Sequence, residues 1–273
     1  MKGTNFMSML IRGRLVRSRL VRIGAGTAAA AAIAVAGLTA AGTASAAPAR
    51  TTAISVPAAP AAAATWKAPK RTLVEGMSGS DVKSVQERLA SLKYYPGPAD
   101  GRFGDDTLEA VWAFQEVNGI PTTGNVDAAT KKALVNPKTY KAKYPGQDKT
   151  RIEVNLHIEV LVYYEKGRIM LISHVSTGGG YYYDGGARAV TPEGKFYTNE
   201  FLPGWIAVPL GYMYNPIFFI GTAYAIHGDI PVPLAPVSHG CVRIPMDIAA
   251  FFHNMVKTPG TEVLIYGTPQ WAS

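Results

Sequence analysis

Cys241 is the only cysteine in the 273-residue chain, and it stands in Ser238-His239-Gly240-Cys241-Val242-Arg243. A second histidine lies fourteen positions upstream, in Ala225-Ile226-His227-Gly228-Asp229. A free thiol titrates near about 8.5, so at neutral pH only a few per cent of it is the nucleophilic thiolate. An imidazole that takes the proton removes this handicap, and both histidines are candidates. His239 is two residues from Cys241, and in an extended segment such residues face the same way. His227 reaches the thiol only if the loop 229–237 folds back, and Pro231, Pro233 and Pro236 stiffen that loop.

The elements that must hold these groups read as strands. Ile152, Val154, Leu156, Ile158, Val160, Val162 and Tyr164 alternate with Glu153, Asn155, His157 and Glu159, the pattern of a half-buried strand. Glu165-Lys166-Gly167-Arg168 is a turn, with Ile169 to Ser176 as the returning strand. His157 falls on the polar face, and His174, opposite Leu171 and Val175, reads as structural. Ser176-Thr177-Gly178 leads into a loop with five glycines between 178 and 186 and three tyrosines, Tyr181 to Tyr183, then Thr191-Pro192-Glu193-Gly194-Lys195-Phe196. An aromatic segment from Trp205 to Phe219 precedes a strand over 222–227, and it supplies Tyr212 and Tyr214 as candidate substrate contacts. After the cysteine, Pro245 and Asp247 open a helix with Ile248, Phe251, Phe252 and Met255 inward and His253 exposed, and 261–266 closes the domain as a strand. A mostly β domain of about 115 residues with one late helix is expected over 150–268.

Before it, residues 73–136 carry the helical period. Val82, Val85, Leu89 and Leu92 make one apolar face behind Ser80, and Leu108, Val111, Trp112 and Phe114 make a second behind Asp106, closed by Asn118-Gly119. A third short helix runs from Asp127 to Leu134. The expectation is a small all-α three-helix domain, followed by a linker over 137–149.

The formal net charge of +8 suggests nucleic acid until its location is considered. Lys2, Arg12, Arg14, Arg17, Arg19 and Arg22 precede any acidic residue and are followed by an Ala/Gly/Val/Leu run and Ala44-Ser45-Ala46, the parts of a secretory signal peptide over 1–46. Without those six, 21 Lys/Arg face 19 Asp/Glu, so no nucleic-acid partner is expected. The run is too Ala-rich to favour a retained anchor, and no stable membrane span is expected after cleavage. Residues 47–72 form an Ala/Pro-rich tether. A secreted chain with one cysteine has no internal disulfide to form, which turns a buried small hydrophobe into a candidate reactive thiol.

The helical unit resembles the peptidoglycan-binding type 1 domain through Gly76, Ser80-Asp81-Val82, Val85-Gln86, Leu89, Asp100-Gly101-Arg102-Phe103-Gly104, Thr107, Ala110-Val111, Phe114-Gln115, Gly124 and Leu134. The β region resembles the L,D-transpeptidase (YkuD-like) catalytic domain through Ser176-Thr177-Gly178, the 191–196 motif, His227-Gly228 and the 238–243 motif. The second resemblance implies Cys241 as nucleophile, His227 as general base oriented by the Gly228 carbonyl, His239 as an assistant, and backbone N–H groups at Gly240 and Cys241 as the oxyanion hole. Arg243 and Ser238 would contact substrate, Arg243 being equally suited to a structural ion pair. It implies attack on a stem tetrapeptide of peptidoglycan, loss of D-Ala and transfer to an amine, giving a 3→3 cross-link, by a monomer at the cell wall without cofactor or metal. Asp229 departs from the Thr, Ser or Asn common after His-Gly in that family. Rivals are an L,D-carboxypeptidase or endopeptidase using the same residues, a wall-binding protein with an inert thiol, and a zinc peptidase with His227, Asp229, His239 or Cys241 as ligands. The spacing of the last matches no metallopeptidase signature.

Overall fold

The computed structural model describes residues 66–230 and 232–272, so the segment expected as a signal peptide and most of the tether lie outside the described residues. Among the described residues no helix is long and apolar enough to cross a membrane.

Three helices come first: α1 (Ser80–Ser91), α2 (Asp105–Asn118) and α3 (Ala128–Val135). The expected caps shift by one residue at α1 and by two at α2. Gly79 and Gly104 hold the N-cap positions of α1 and α2 without a side-chain cap, leaving Ser80 and Asp106 inside the first turn. Asp127 caps α3 by accepting from the Thr130 N–H, a contribution of about 1 kcal/mol. Gly119 ends α2 at φ 64°, where a Cβ would be strained. Two glutamines tie the turns to this bundle. Gln86 bonds Gly101, Arg102 and Thr107, and Gln115 bonds Gly124, Asn125 and Thr130, so both glutamine–turn pairs in the sequence are buried hydrogen-bond hubs.

The β region contains β1 (Arg151–Asn155), β2 (Val160–Glu165), β3 (Arg168–His174), β4 (Tyr182–Tyr183), β5 (Ala187–Arg188), β6 (Gly194–Tyr197), β7 (Glu200–Phe201), β8 (Trp205–Val208), β9 (Gly211–Ile220), β10 (Tyr224–Gly228), β11 (Val242–Ile244), helix α4 (Met246–Met255) and β12 (Glu262–Tyr266). One five-stranded sheet runs β3-β2-β1-β12-β6; a second runs β11-β10-β9-β7, with β8 also on β9. Only β1–β12 and β10–β11 pair in parallel among the named ladders of these two sheets. The main core lies between the sheets and α4, from Ile152, Val154, Leu161 and Leu171 across to Ile217, Ile226, Val242, Ile248 and Phe252.

Two sequence expectations change here. The alternating run 152–164 is not one strand: Leu156 to Glu159 form the turn between β1 and β2, with Glu159 at φ 47°. Nor is its polar face solvated. Val160, Val162, Tyr164 and Ile172 turn away from the main core and join Tyr94, Val111 and Phe114 of the helical unit in a second core. With both faces of the first sheet covered, its polar residues must be paired internally. Arg151 bonds Glu153 at 2.8 Å and lies 4.0 Å over the Tyr164 ring. The helical unit is therefore docked on the sheet. Residues 137–149 form no helix or strand, as expected of a linker, yet they pack: the Tyr140 and Tyr266 hydroxyls are 2.6 Å apart and the Lys143 N–H donates to Glu153.

Candidate active site

The register of β10 and β11 decides which side chains meet. Ile226 pairs with Val242 and Gly228 with Ile244, and Ile226, Val242 and Ile244 all enter the main core. Alternation then turns His227, Arg243 and Cys241 to the opposite face. There they line a cavity of about 310 Å³ together with His239, Ser238, Asp229, Tyr212 and Tyr183. His227 and Cys241 thus line one cavity, because β10 and β11 are neighbouring parallel strands.

His227 is buried, and its Nδ1 lies 2.9 Å from the Gly228 carbonyl oxygen. A carbonyl only accepts, so Nδ1 carries the hydrogen and Nε2 keeps its lone pair. Burial lowers the imidazole pKa, and nearby Arg243 lowers it further, against the Gly228 carbonyl and Asp229, which raise it. The ring is consequently neutral at pH 7 and able to accept a proton. Gly228 is glycine because of what lies behind it. A Cβ there would sit 2.7 Å from the Ala249 Cβ and 3.0 Å from the Met246 sulfur, so α4 packs directly on the strand beneath the histidine.

Cys241 is half-buried against Met213, Phe218, Ala225 and Val208, with Sγ 3.9 Å from the Ala223 carbonyl oxygen. Burial raises the thiol pKa; Arg243 pulls it down and Asp229 pushes it up. The two charged residues are themselves an ion pair of 2.8 Å beside the thiol. Their opposing influences cancel in part, so the thiol is protonated at neutral pH and needs a base.

The motifs upstream of the cysteine serve its loop. Ser176 N–H donates to the Arg243 carbonyl and Arg243 N–H to the Ser176 carbonyl. Ser238 N–H donates to Thr177 O, and Gly179 N–H to Ser238 O. Thr191 Oγ1 accepts from Gly178 N–H at 2.9 Å and donates to Gly240 O at 2.8 Å. Thr177 in turn donates through N–H and hydroxyl, both at 2.7 Å, to the carboxylate of buried Glu159. Sequence reasoning missed Glu159, having placed it on a solvated face.

The structure redistributes several expected roles. Gly240, at φ 141°, does not present its N–H to the cavity: it donates to Ser238 Oγ, whose hydroxyl donates to Cys241 O at 2.6 Å. Ser238 Oγ completes a tight turn around the cysteine, and this is why the Gly240 amide is turned inward. His239 is half-buried under Tyr181 and Tyr183, with ring centroids 5.5 and 4.7 Å away. Tyr212 lines the cavity, but Tyr214 does not. Tyr214 stands directly opposite Trp205 in the regular β8–β9 ladder, their rings 5.3 Å apart, and it abuts Gly228 from behind. Met213, Leu210 and Tyr224 line the cavity instead. His253 is half-buried and stacked on Phe201 at 4.6 Å instead of facing solvent.

The helical bundle and the two-sheet domain each have known counterparts. The peptidoglycan binding domain family matches residues 78–134, and the L,D-transpeptidase catalytic domain family matches 149–265. A crystal structure of the L,D-transpeptidase from Xylanimonas cellulosilytica is 33% identical with a TM-score of 0.68, over 72% of this chain and 98% of that one. The chain belongs to the L,D-transpeptidase family, with a peptidoglycan-binding domain ahead of the catalytic domain. Curated relatives match over shorter stretches. The spore cortex-lytic enzyme of Bacillus cereus is 40% identical over 70 residues, 26% of this chain and 27% of that protein. A probable N-acetylmuramoyl-L-alanine amidase of Bacillus licheniformis is 42% identical over 82 residues, 29% of this chain and 22% of that one. The chain spans about a quarter of the length of these curated relatives.

Proposed function

We propose that the protein is a cysteine-dependent peptidoglycan L,D-transpeptidase acting outside the cytoplasm. The observation that carries this is the neutral, buried His227, with Nδ1 held by the Gly228 carbonyl, on the same cavity wall as the only thiol. As Cys241 Sγ attacks the carbonyl between the third residue and D-Ala of a donor stem tetrapeptide, its proton moves to His227 Nε2. The oxyanion takes a hydrogen bond from the Cys241 backbone N–H. The C–N bond breaks, His227 returns the proton to the departing amine of D-Ala, and a thioester remains. A side-chain amine of a second stem attacks the thioester, gives its surplus proton through His227 and restores the thiol as a 3→3 cross-link forms. Arg243, Tyr212 and His239 are the side chains proposed to hold the peptide, the Ser238 hydroxyl being taken up in the turn around Cys241. The helical domain, docked on the catalytic sheet, keeps the enzyme on its polymeric substrate.

Disaccharide tetrapeptides incubated with the full chain should give dimers lighter by one D-Ala in a mass spectrum, and C241A should give none. Tripeptide as the exclusive product, at ample acceptor concentration, would replace transfer by hydrolysis at the same site.

A further inference from the structure

We propose that Trp271 is a positioning residue for the substrate cleft. It lies beyond residue 265, where the catalytic-domain match ends, and it braces the glycine-rich segment that carries Tyr183 to the cavity lining. Its indole Nε1–H donates to the Gly178 carbonyl at 2.6 Å. The indole covers Gly180, where φ is 75° and a Cβ would stand 2.3 Å from the ring. The Arg188 guanidinium sits 4.4 Å from the same ring and donates from Nε to the Gly180 carbonyl at 3.0 Å. One side chain thus fixes both ends of the β4–β5 hairpin.

The hairpin is short, its ladder extended at the base by Gly180 N–H to Ala189 O and Ala189 N–H to Tyr181 O. Its strands are two residues each, Gly185 and Gly186 at its tip have positive φ, and Tyr182, Gly185 and Arg188 are exposed. Such a segment samples open conformations unless something outside it restricts them. What it carries matters to the cleft. Tyr183 lines the cavity, Tyr181 donates to the Val237 carbonyl at 3.2 Å, and both rings meet His239 edge-on. The segment at its base is joined to the cysteine loop through Gly179 N–H to Ser238 O and through Thr191 between Gly178 and Gly240. Gly180 is therefore glycine to admit the indole, and the indole sets where Tyr181, Tyr183 and His239 stand relative to Cys241. The brace itself is a matter of structure; its kinetic consequence rests on the transpeptidase reading above.

The test uses Trp271→Ala and Trp271→Phe in the full chain. The first readout is amide hydrogen exchange, which needs no activity. W271A should accelerate exchange in peptides covering 179–189 and leave those covering β10 and β11 unchanged. The second is the rate of Cys241 alkylation by iodoacetamide against pH, whose midpoint should not move, because Trp271 does not touch the thiol or its base. The third is kinetic. W271A should raise the donor KM about tenfold, less than the hundredfold that an ångström of misplacement can cost a site, with a smaller change in kcat. W271F keeps the ring over Gly180 and should recover most of that loss without the N–H donor. Unchanged exchange in 179–189, an unchanged KM, or acceleration spread evenly over both sheets would overturn the brace. If the wild-type chain transfers nothing on any stem peptide, the functional reading fails, and the exchange readout still decides whether Trp271 holds the hairpin.

Discussion

His174 Nδ1 and Glu116 Oε1 lie 3.0 Å apart across the junction of the helical unit and the catalytic sheet, both nearly sealed from solvent. The other ring nitrogen lies 3.1 Å from the carbonyl of Pro233, inside the loop that joins His227 to the cysteine motif. Acceptors facing both nitrogens favour the protonated imidazole, while burial raises the Glu116 pKa as well. Burial works against that charge, but the Glu116 carboxylate and the Pro233 carbonyl raise the pKa in spite of it. A single histidine thus joins the binding unit, the sheet and the active-site loop.

Glu116→Ala leaves that imidazolium buried without its counter-ion, and breaking such a pair costs about 3–5 kcal/mol. The expected result is a lowered denaturation midpoint and faster amide exchange in 229–237. An unchanged midpoint would mean that water replaces the carboxylate at no cost.

Stability should fall as pH rises from about 5 to 8. At the same junction, carboxylate oxygens of Asp106 and Glu109 on α2 and Asp247 on α4 gather within 4.8 Å. Burial pushes Glu109 up to about 8 and Asp247 up to about 7, neighbouring carboxylates adding to both and His174 opposing at Glu109, and burial raises Asp106 as well. Burial also raises Glu159 to about 7, against its bonds from Thr177. These raised values mean that the folded state binds more protons than the unfolded chain across this window, so deprotonation favours unfolding. His174 acts in the same sense, whereas the lowered His227 opposes it below about pH 6.5. Melting temperatures measured over this range should decline, and Glu109→Gln should flatten the slope. A rising curve would contradict the assignment.

Because burial raises the Cys241 pKa, alkylation by iodoacetamide should be slow at pH 7 and climb through pH 9. Rapid alkylation at pH 6 would point instead to a preformed thiolate–imidazolium pair. Replacing His227 by Ala should leave the thiol present yet cut transfer by roughly 100-fold or more, the scale of a lost general base.

Asp229 and Arg243 pull the thiol in opposite directions. Asp229→Asn should therefore lower the midpoint of the alkylation profile by leaving Arg243 unneutralised, and Arg243→Ala should raise it. Shifts of the same sign in both variants would show that the pair acts through loop geometry alone.

Gly240→Ala introduces a Cβ 2.6 Å from the Tyr224 ring and 2.7 Å from the Val190 carbonyl at a φ of 141°. Backbone strain of this kind costs about 1–3 kcal/mol. The variant should lose transfer activity more than stability, since the strained residue adjoins Cys241, and parallel melting and product assays separate the two effects.

Most of the elements, and the residues that are candidates for chemistry, could be read from the sequence alone. Cys241, His227 and His239 were legible because thiol and imidazole are rare and reactive, and α1 to α3, the β2–β3 hairpin and α4 because periodicity and turn residues are local properties. It also supplied the two family resemblances, since motifs in order survive without coordinates. Tertiary structure decided what the polar residues inside do. Glu153 and Glu159 alternate with apolar residues as solvated positions would, yet both are buried, as partners of Arg151 and Lys143 and of Thr177. Of Tyr212 and Tyr214, two apart on β9, only Tyr212 lines the cavity, and the Ser238 turn takes up the Gly240 amide. Trp271 acquires its place only when Gly178 and Gly180, more than ninety residues earlier in the chain, are folded against it. Local pattern records which face of a strand is apolar; whether a second layer covers the other face depends on contacts between residues far apart in sequence, which no local period encodes.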